Sequence, residues 1–422
     1  MAVSVLDGIK VSDQERPFLL IGNPDNRRTF ALQQARLRQG LKPAIVLSYI
    51  DLLQTWRQGA TLAEVVSEAV SQGEGREGAG DYTFFIRVDA PGENWNVERE
   101  LLSLGATVYS PLHRVDNRMM VTQEQALLLE QEWGRIYAPA QWFDGWRACL
   151  ERIDKEVQQF FPSARFLNHP TDIITMFDKR QCQQQLSANG VTVPPSLQAD
   201  VPIRSYGELR TAMKFEGMHR VFVKLACGSG ASGVVAYQFN PRTGAEIAIT
   251  TVGMERNGAE VIFYNEGGMR RYTRTEEIRI LLDWLCAEGA QIERWMAKSS
   301  IGSRVFDVRQ LVAGGQVGHA IVRLSKTPIT NLHLRNDRLL PTEAGLKDDQ
   351  MLLIQNAAQA ALSAFPNSWS AGIDVMLSGT EPRAYVLDVN PFGDLLYQVQ
   401  HRGRGTYEWQ MELLRKEPDY YA

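Results

Sequence analysis

The stretch Val221-Phe-Val-Lys-Leu-Ala-Cys-Gly-Ser-Gly-Ala-Ser-Gly-Val-Val-Ala-Tyr237 sets one lysine at the end of an apolar run and then opens a glycine-rich loop. A lysine ammonium is strongly hydrated and rarely buried alone, so Lys224, following Val221, Phe222 and Val223, is expected to meet an anion where a strand ends. Gly228, Gly230 and Gly233 match the G-x-G-x-x-G spacing of dinucleotide-binding folds, but that fingerprint requires a helix to open at the third glycine. Val234, Val235, Ala236 and Tyr237 follow instead, and these residue types favour a pleated strand. The segment therefore predicts a β-hairpin flap whose backbone N–H groups can approach phosphates closely. No G-x-x-x-x-G-K-[ST] occurs, which argues against a P-loop. Taken in isolation, the segment reads equally well as a plain hairpin with a glycine turn.

The chain has 422 residues, enough for two to four domains at ~100–200 residues each. Its 45 basic and 49 acidic side chains give a formal charge of -4 without a long block of either sign, so neither nucleic-acid nor anionic-membrane binding has electrostatic support. Residues 1–14 are mixed in character rather than basic and then apolar, and no apolar run approaches the ~18–20 residues that span a bilayer. A soluble cytoplasmic protein is expected. The four cysteines, Cys149, Cys182, Cys227 and Cys286, are far apart and show no C-x-x-C spacing, so they are expected to be free thiols.

A short apolar strand at 18–21, a helix over 27–39 and a second strand near 44–47 predict a βαβ start. The strand pattern returns at 82–88, and a helix follows over 97–104. Ligands of parallel α/β sheets bind where strands end, so Asn23, Arg87 and Asp89 are candidate pocket residues, with turn formation and surface charge as the alternative. Residues 71–80 read as a flexible loop, 133–161 as a helix carrying Trp133, Trp142 and Trp146 on a core or interface face, and 161–170 as a linker. Beyond it, 172–189 reads as one amphipathic helix, and a boundary falls near Gly289. Strands over 305–313 and 317–324 about a Gly314-Gly315 turn, a helix over 349–365 and a strand pair at 370–377 and 383–389 close a sheet.

The last strand pair carries Asp374, Asp388 and Asn390. Asp388 and Asn390 lie two apart and share a strand face, and all three offer the hard oxygen donors that suit Mg²⁺. Ordinary solvent-side positions are the alternative, but Ile373, Val375, Val386, Leu387 and Val389 make both flanks apolar, and a carboxylate there needs a cation or a donor.

In this ordered set of motifs the chain resembles the ATP-grasp superfamily, specifically the branch of glutathione synthetases and ribosomal-protein glutamate ligases. The resemblance rests on Asp178-Lys179, Gly190-Val-Thr-Val-Pro194, Phe222-Val-Lys224 with the 228–233 flap, Glu293-Arg-Trp295, Phe306-Asp307-Val-Arg309, Arg323, Asn331-Leu-His333, Asp374 and Asp388-Val-Asn390. It implies an α/β fold, α+β in the ATP-binding part. The units implied are a βαβ pre-ATP-grasp domain with a helical extension over 1–165, a central subdomain with the flap over 166–290 and a C-terminal subdomain with the magnesium site over 291–422. It implies ATP and Mg²⁺ as cofactors, with Lys179 and Lys224 on the α- and β-phosphates under Gly228, Ser229 and Gly230. Glu293 to Trp295 would form the adenine hinge, Asp307 the ribose site, Arg323 the cation at the transferred phosphoryl group, and Asn331 a neighbour of phosphates and metals. Asp374, Asp388 and Asn390 match its magnesium ligands. The chain departs from the family in having Leu225 where proline is common after the lysine, and Asp388 where glutamate is usual.

The activity implied is an ATP-dependent carboxylate-amine ligase working through an acyl-phosphate, on a small-molecule or peptide carboxylate and an amine. Alternatives are a kinase on the same scaffold and a non-catalytic ATP-binding partner, which Asp388 leaves open. Asn23, Arg87, His333 and Arg402 are candidates for substrate contacts.

Overall fold

Phe-Leu-Leu-Ile at 18–21 is apolar at every position, and such a strand belongs in the middle of a parallel sheet covered on both faces. The computed structural model, which describes residues 16–74, 84–108, 118–197, 202–228, 232–258, 260–330 and 337–417, places it there. The first layer runs β1 (Phe18–Gly22), α1 (Arg27–Arg38), β2 (Ile45–Ser48), α2 (Tyr49–Arg57), α3 (Leu62–Glu74), β3 (Phe85–Val88), α4 (Trp95–Val108), α5 (Gln123–Leu128), α6 (Pro139–Phe160) and β4 (Arg165–Phe166). The sheet order is β2-β1-β3-β4, all parallel. Leu19 and Ile21 point into a core with α2, α3, α4 and α6, while Phe18 and Leu20 point into another that contains Leu32 and Ala35 of α1. Helices α4 and α6 cross with Gly105 and Gly145 at the contact: a Cβ on Gly145 would lie 1.9 Å from the Leu101 carbonyl oxygen.

Several local expectations change here. Residues 71–74 are the last turn of α3, and 75–80 lie outside the described residues. Trp133 is 88% exposed in a turn before α6, which starts only at Pro139, whereas Trp146 is fully buried. The stretch 161–170 is no linker, because Phe161 is buried and β4 pairs with β3. The expected single helix over 172–189 is two, α7 (Pro170–Phe177) and α8 (Lys179–Ala188). They break at Asp178, whose ψ of 102 is not helical and whose carboxylate caps the N–H groups of Arg180 and Gln181.

The middle layer follows with α9 (Tyr206–Phe215), β5 (Arg220–Leu225), β6 (Val234–Phe239), β7 (Glu246–Asn257), β8 (Glu260–Tyr272), α10 (Thr275–Ala287) and β9 (Ala290–Arg294). Its antiparallel order is β8-β7-β6-β5-β9. The hairpin reading of the glycine segment holds: Lys224 pairs with Val234, and Leu225 N–H donates to the Gly233 carbonyl at 2.9 Å. Gly233 has φ +65, and a Cβ there would meet Leu225 at 2.4 Å, so this turn needs glycine.

The last layer contains β10 (Ser300–Ile301), β11 (Arg304–Ala313), β12 (Gln316–Ser325), β13 (Asp337–Leu339), α11 (Asp348–Ser363), β14 (Ser370–Ser378), β15 (Arg383–Asn390) and α12 (Thr406–Leu414). Its order is β13-β12-β11-β14-β15, with β10 on β11. Helix α12 leaves this layer to pack Trp409, Leu413 and Leu414 with Phe18 and Leu20 of the first. Among the described residues no helix is long and apolar enough to cross a membrane.

Candidate functional site

Strand alternation divides the last sheet into two unlike faces. Phe306, Val308, Val322, Leu324, Ile373, Val375 and Val389 share a core with Ile354, Ala358 and Ala361 of α11. On the other face Asp307 stands opposite Arg323, Arg309 opposite Asp374, and Asp374 opposite Asp388, with Asn390 two residues further along the same strand. Cross-strand partners share a face, so the pattern gathers charge on one surface. The central sheet is built the same way. Val221, Val223, Leu225, Val235 and Tyr237 pack with residues of α9 and α10, while Lys224, opposite Gln291, and Phe222, opposite Glu293, lie on the other side.

The two polar faces adjoin. Lys224 pairs with Glu293 at 2.6 Å, and Glu293 also accepts from Gln291 Nε2 at 2.9 Å. Lys298, from the segment between the sheets, donates to Asp307 at 3.1 Å and to Thr330 Oγ1. Burial pushes the Lys298 ammonium down; Asp307 opposes this, but Arg323 and Lys224 nearby add to the depression. Beside this group, Phe222, Ala236 and Ile329 form an apolar patch with Val234 and Trp295, whose ring lies 5.6 Å from that of Phe222. Lys179 opens α8; its N–H donates to Ala226 O at 2.8 Å, and its ammonium reaches Asp388 at 3.0 and 3.3 Å. Burial opposes that charge, but the Asp388 carboxylate outweighs it and holds the Lys179 pKa above its usual value.

Arginines knit the carboxylates together. Arg309 grips Asp374 through two nitrogens and Asp394 at 2.6 Å, and Arg323 bridges Asp307 at 2.7 Å and Asp374 at 3.0 Å. Burial alone would raise the Asp374 carboxyl, yet Arg309 and Arg323 hold it well below the usual carboxylate range. Asp307 is likewise lowered against its burial, chiefly by Arg323 and then Lys298.

The structure thus brings Lys179, Lys224, Glu293, Asp307, Arg323, Asp374, Asp388 and Asn390 to these adjoining faces. Asp307 accepts from Arg323, Lys298 and Thr330 and is the counter-ion of the two cations. The Glu293 side chain faces Lys224, and the N–H groups of Arg294 and Trp295 donate to Pro195 and Arg220 carbonyls. Gly228 lies in the turn after Lys224, whereas Ser229, Gly230, Asn331 and His333 fall outside the described residues.

Asn23 and Arg87 lie at the strand ends of the first sheet. Asn23 Nδ2 donates to the Pro91 and Gly92 carbonyls at 2.8 and 2.9 Å, and so fastens a loop. Asp89, in the same place, is held by Arg28. Arg402 is an exposed turn residue with φ +52 and contacts none of these groups. A cavity of about 460 Å³ lined by Asp154, Arg165, His169 and Trp369 includes none of the site residues. Lys298 and Asp394 were not singled out from sequence, and Arg309 stood in the Phe306-Asp307-Val-Arg309 motif without a role. Arg309 carried a usable signal, since it lies two residues from Asp307 and must share its face.

The donor set fits magnesium in kind. Asp374 and Asp388 are cross-strand neighbours, and the Asn390 amide nitrogen donates to Gly372 O at 3.0 Å, which leaves its carbonyl oxygen as a third hard donor. Among the described residues no cluster of three or more His, Cys, Asp or Glu is arranged around a metal position, and both aspartates are engaged by cations of the chain.

No protein-family model matches the chain, and no curated protein sequence matches it. In three dimensions it is similar to the D-cycloserine synthetase DcsG, with a TM-score of 0.49 at 12% identity over 94% of this chain and 99% of that one. It is similar to the ATP-grasp ligase PsnB complexed with a minimal precursor, with a TM-score of 0.48 at 14% identity over 95% and 99%. The VanG D-Ala:D-Ser ligase from Enterococcus faecalis gives a TM-score of 0.48 at 10% identity over 97% and 100%.

Proposed function

We propose that this chain is an ADP-forming carboxylate-amine ligase of the ATP-grasp kind, related to glutathione synthetases and ribosomal-protein glutamate ligases. Its substrate domain would span 1–165, and ATP would lie between subdomains at 166–290 and 291–422. One observation carries the reading. Five cations, Lys179, Lys224, Lys298, Arg309 and Arg323, stand among five carboxylates, Glu293, Asp307, Asp374, Asp388 and Asp394, on adjoining faces of two sheets. Such a set is close to neutral and built for exchange of partners: an arriving triphosphate takes over the cations, and the aspartates they release are free for divalent metal.

Lys179 and Lys224 would hold phosphates, with Arg323 facing the transferred group and the patch of Phe222, Ala236, Ile329 and Trp295 covering a purine. Unit charges ~4 Å apart interact by about 4 kcal/mol at an effective dielectric near 20, so this countercharge decides whether an anionic nucleophile can approach the γ-phosphate. Mg²⁺ on Asp374, Asp388 and Asn390 would supply further screening of the phosphate oxygens. A substrate carboxylate oxygen bonds to the γ-phosphorus as the bond to ADP breaks. The amine nitrogen then attacks the acyl carbon, and phosphate departs. No side-chain nucleophile is required, and the protein's work is to position and to screen.

The test is hydroxylamine trapping. Acid, ATP and magnesium should yield an acyl hydroxamate together with ADP, and Lys224→Met should abolish both. ADP release with a stable phosphorylated product and no hydroxamate would favour a kinase, and ATP binding without turnover for any acid a binding partner. Unchanged ATP affinity in Lys224→Met would remove the site itself.

A further inference from the structure

Where the first sheet meets α12 and the loop after β15, three buried hydrogen-bond donors have no acceptor. Arg87, on β3 and 4% exposed, donates through Nη1 to Gln410 Oε1 at 3.1 Å and through Nη2 to Phe392 O at 3.1 Å, and its guanidinium carbon lies 5.0 Å from the centre of the Tyr407 ring. All these partners are neutral. The neighbouring carboxylate, Asp89, accepts from Arg28 and from Ala90 N–H and acts on Arg87 through its charge alone. Arg87 Nε, the Tyr407 hydroxyl and Gln410 Nε2 are each buried without a partner, on side chains that are 4%, 3% and 0% exposed.

Leaving a buried donor unsatisfied costs roughly 1–3 kcal/mol. Three such groups on touching residues are therefore a built feature. All three are donors, two of them on side chains that already touch, and a planar carboxylate with its several lone pairs is the acceptor that suits a guanidinium fork beside a hydroxyl and an amide. The place also matters. Gln410 Nε2 borders Gly393, and the next residue, Asp394, holds Arg309, which grips Asp374 in the charged face.

We propose that Arg87, Tyr407 and Gln410 bind a carboxylate of the acid substrate other than the one that reacts. The substrate class is then a dicarboxylate, including an amino acid or peptide that keeps one free carboxylate while another is activated. This rests on the ligase reading for the reacting group, but the binding step needs no nucleotide and is measured without it.

The experiment titrates glutarate into the nucleotide-free full-length chain by calorimetry, with sodium chloride as the control anion and Mg·ADP titrated separately. Glutarate should bind, and Tyr407→Phe and Gln410→Leu, which leave the guanidinium in place, should each weaken it roughly tenfold. Arg87→Met should abolish it, with Arg87→Lys recovering part, while Mg·ADP affinity stays the same in every variant. Absence of glutarate binding to the folded wild type, equal affinity in Tyr407→Phe, or displacement by chloride at matching concentration would each overturn the assignment. Failure of Mg·ADP to bind while glutarate behaves as expected would instead sink the ligase reading and leave the carboxylate site standing.

Discussion

Replacing Asp374 by asparagine removes one negative charge from a buried chain of ion pairs without changing its volume. Asp374 is 7% exposed and accepts from Arg309 Nε and Nη2 and from Arg323 Nη2, so its loss leaves two buried guanidinia to share Asp307 and the half-exposed Asp394. Removing one member of a buried pair typically costs 3–5 kcal/mol, because the remaining charge is stranded in low dielectric. The asparagine oxygen still accepts from one arginine, which places the expected loss near the lower end, about 3 kcal/mol. Urea unfolding of the nucleotide-free chain at pH 7 reads it as a fall in the midpoint at constant slope. Asp394→Asn is the internal control: Arg309 keeps Asp374, the lost partner is partly in water, and the cost should stay under about 1 kcal/mol. If Asp374→Asn cost no more than Asp394→Asn, the idea that the charged face is a desolvated network holding its own countercharge would be refuted.

Gly145→Ala sets a methyl carbon against the Leu101 carbonyl where α4 crosses α6, so the helices must separate; a loss of about 3 kcal/mol is expected, and an unchanged melting temperature would contradict the close crossing. His319 donates from Nε2 to Arg404 O at 2.8 Å, and its buried Nδ1 has no partner. Burial, with His401 adding to it, pushes its pKa down to about 4 from 6.5. The unfolded chain then binds the extra proton between those values, so stability is full above pH 6.5 and falls by up to about 3 kcal/mol as pH drops through 4. His319→Gln should flatten that fall in urea midpoints measured at pH 7 and pH 4.5, and an identical pH profile in the variant would discard the attribution.

What could be read along the chain was local and periodic. The glycine segment announced a hairpin because Val234 to Tyr237 are strand formers, and strand alternation put Asp388 and Asn390 on one face and made Lys224 a residue in need of an anion. Where the signal was weak, the reading went astray. The helix break at Asp178 is a single capping carboxylate within a stretch of good helix formers, and β4 is two residues held in place by a neighbouring strand. Composition revealed neither.

Sequence by itself determined the alternation that gives each sheet one apolar and one polar surface, since that follows from the pleat and the order of side chains. Only the tertiary structure decided what each charge faces. Arg309 acquired Asp374 through the pairing of β11 with β14, Lys179 acquired Asp388 from more than two hundred positions away, and Asp307 became a counter-ion because Lys298 and Arg323 arrive on either side of it. Burial made these contacts matter: in water such pairs are worth little, and in a desolvated seam every charge must find its opposite.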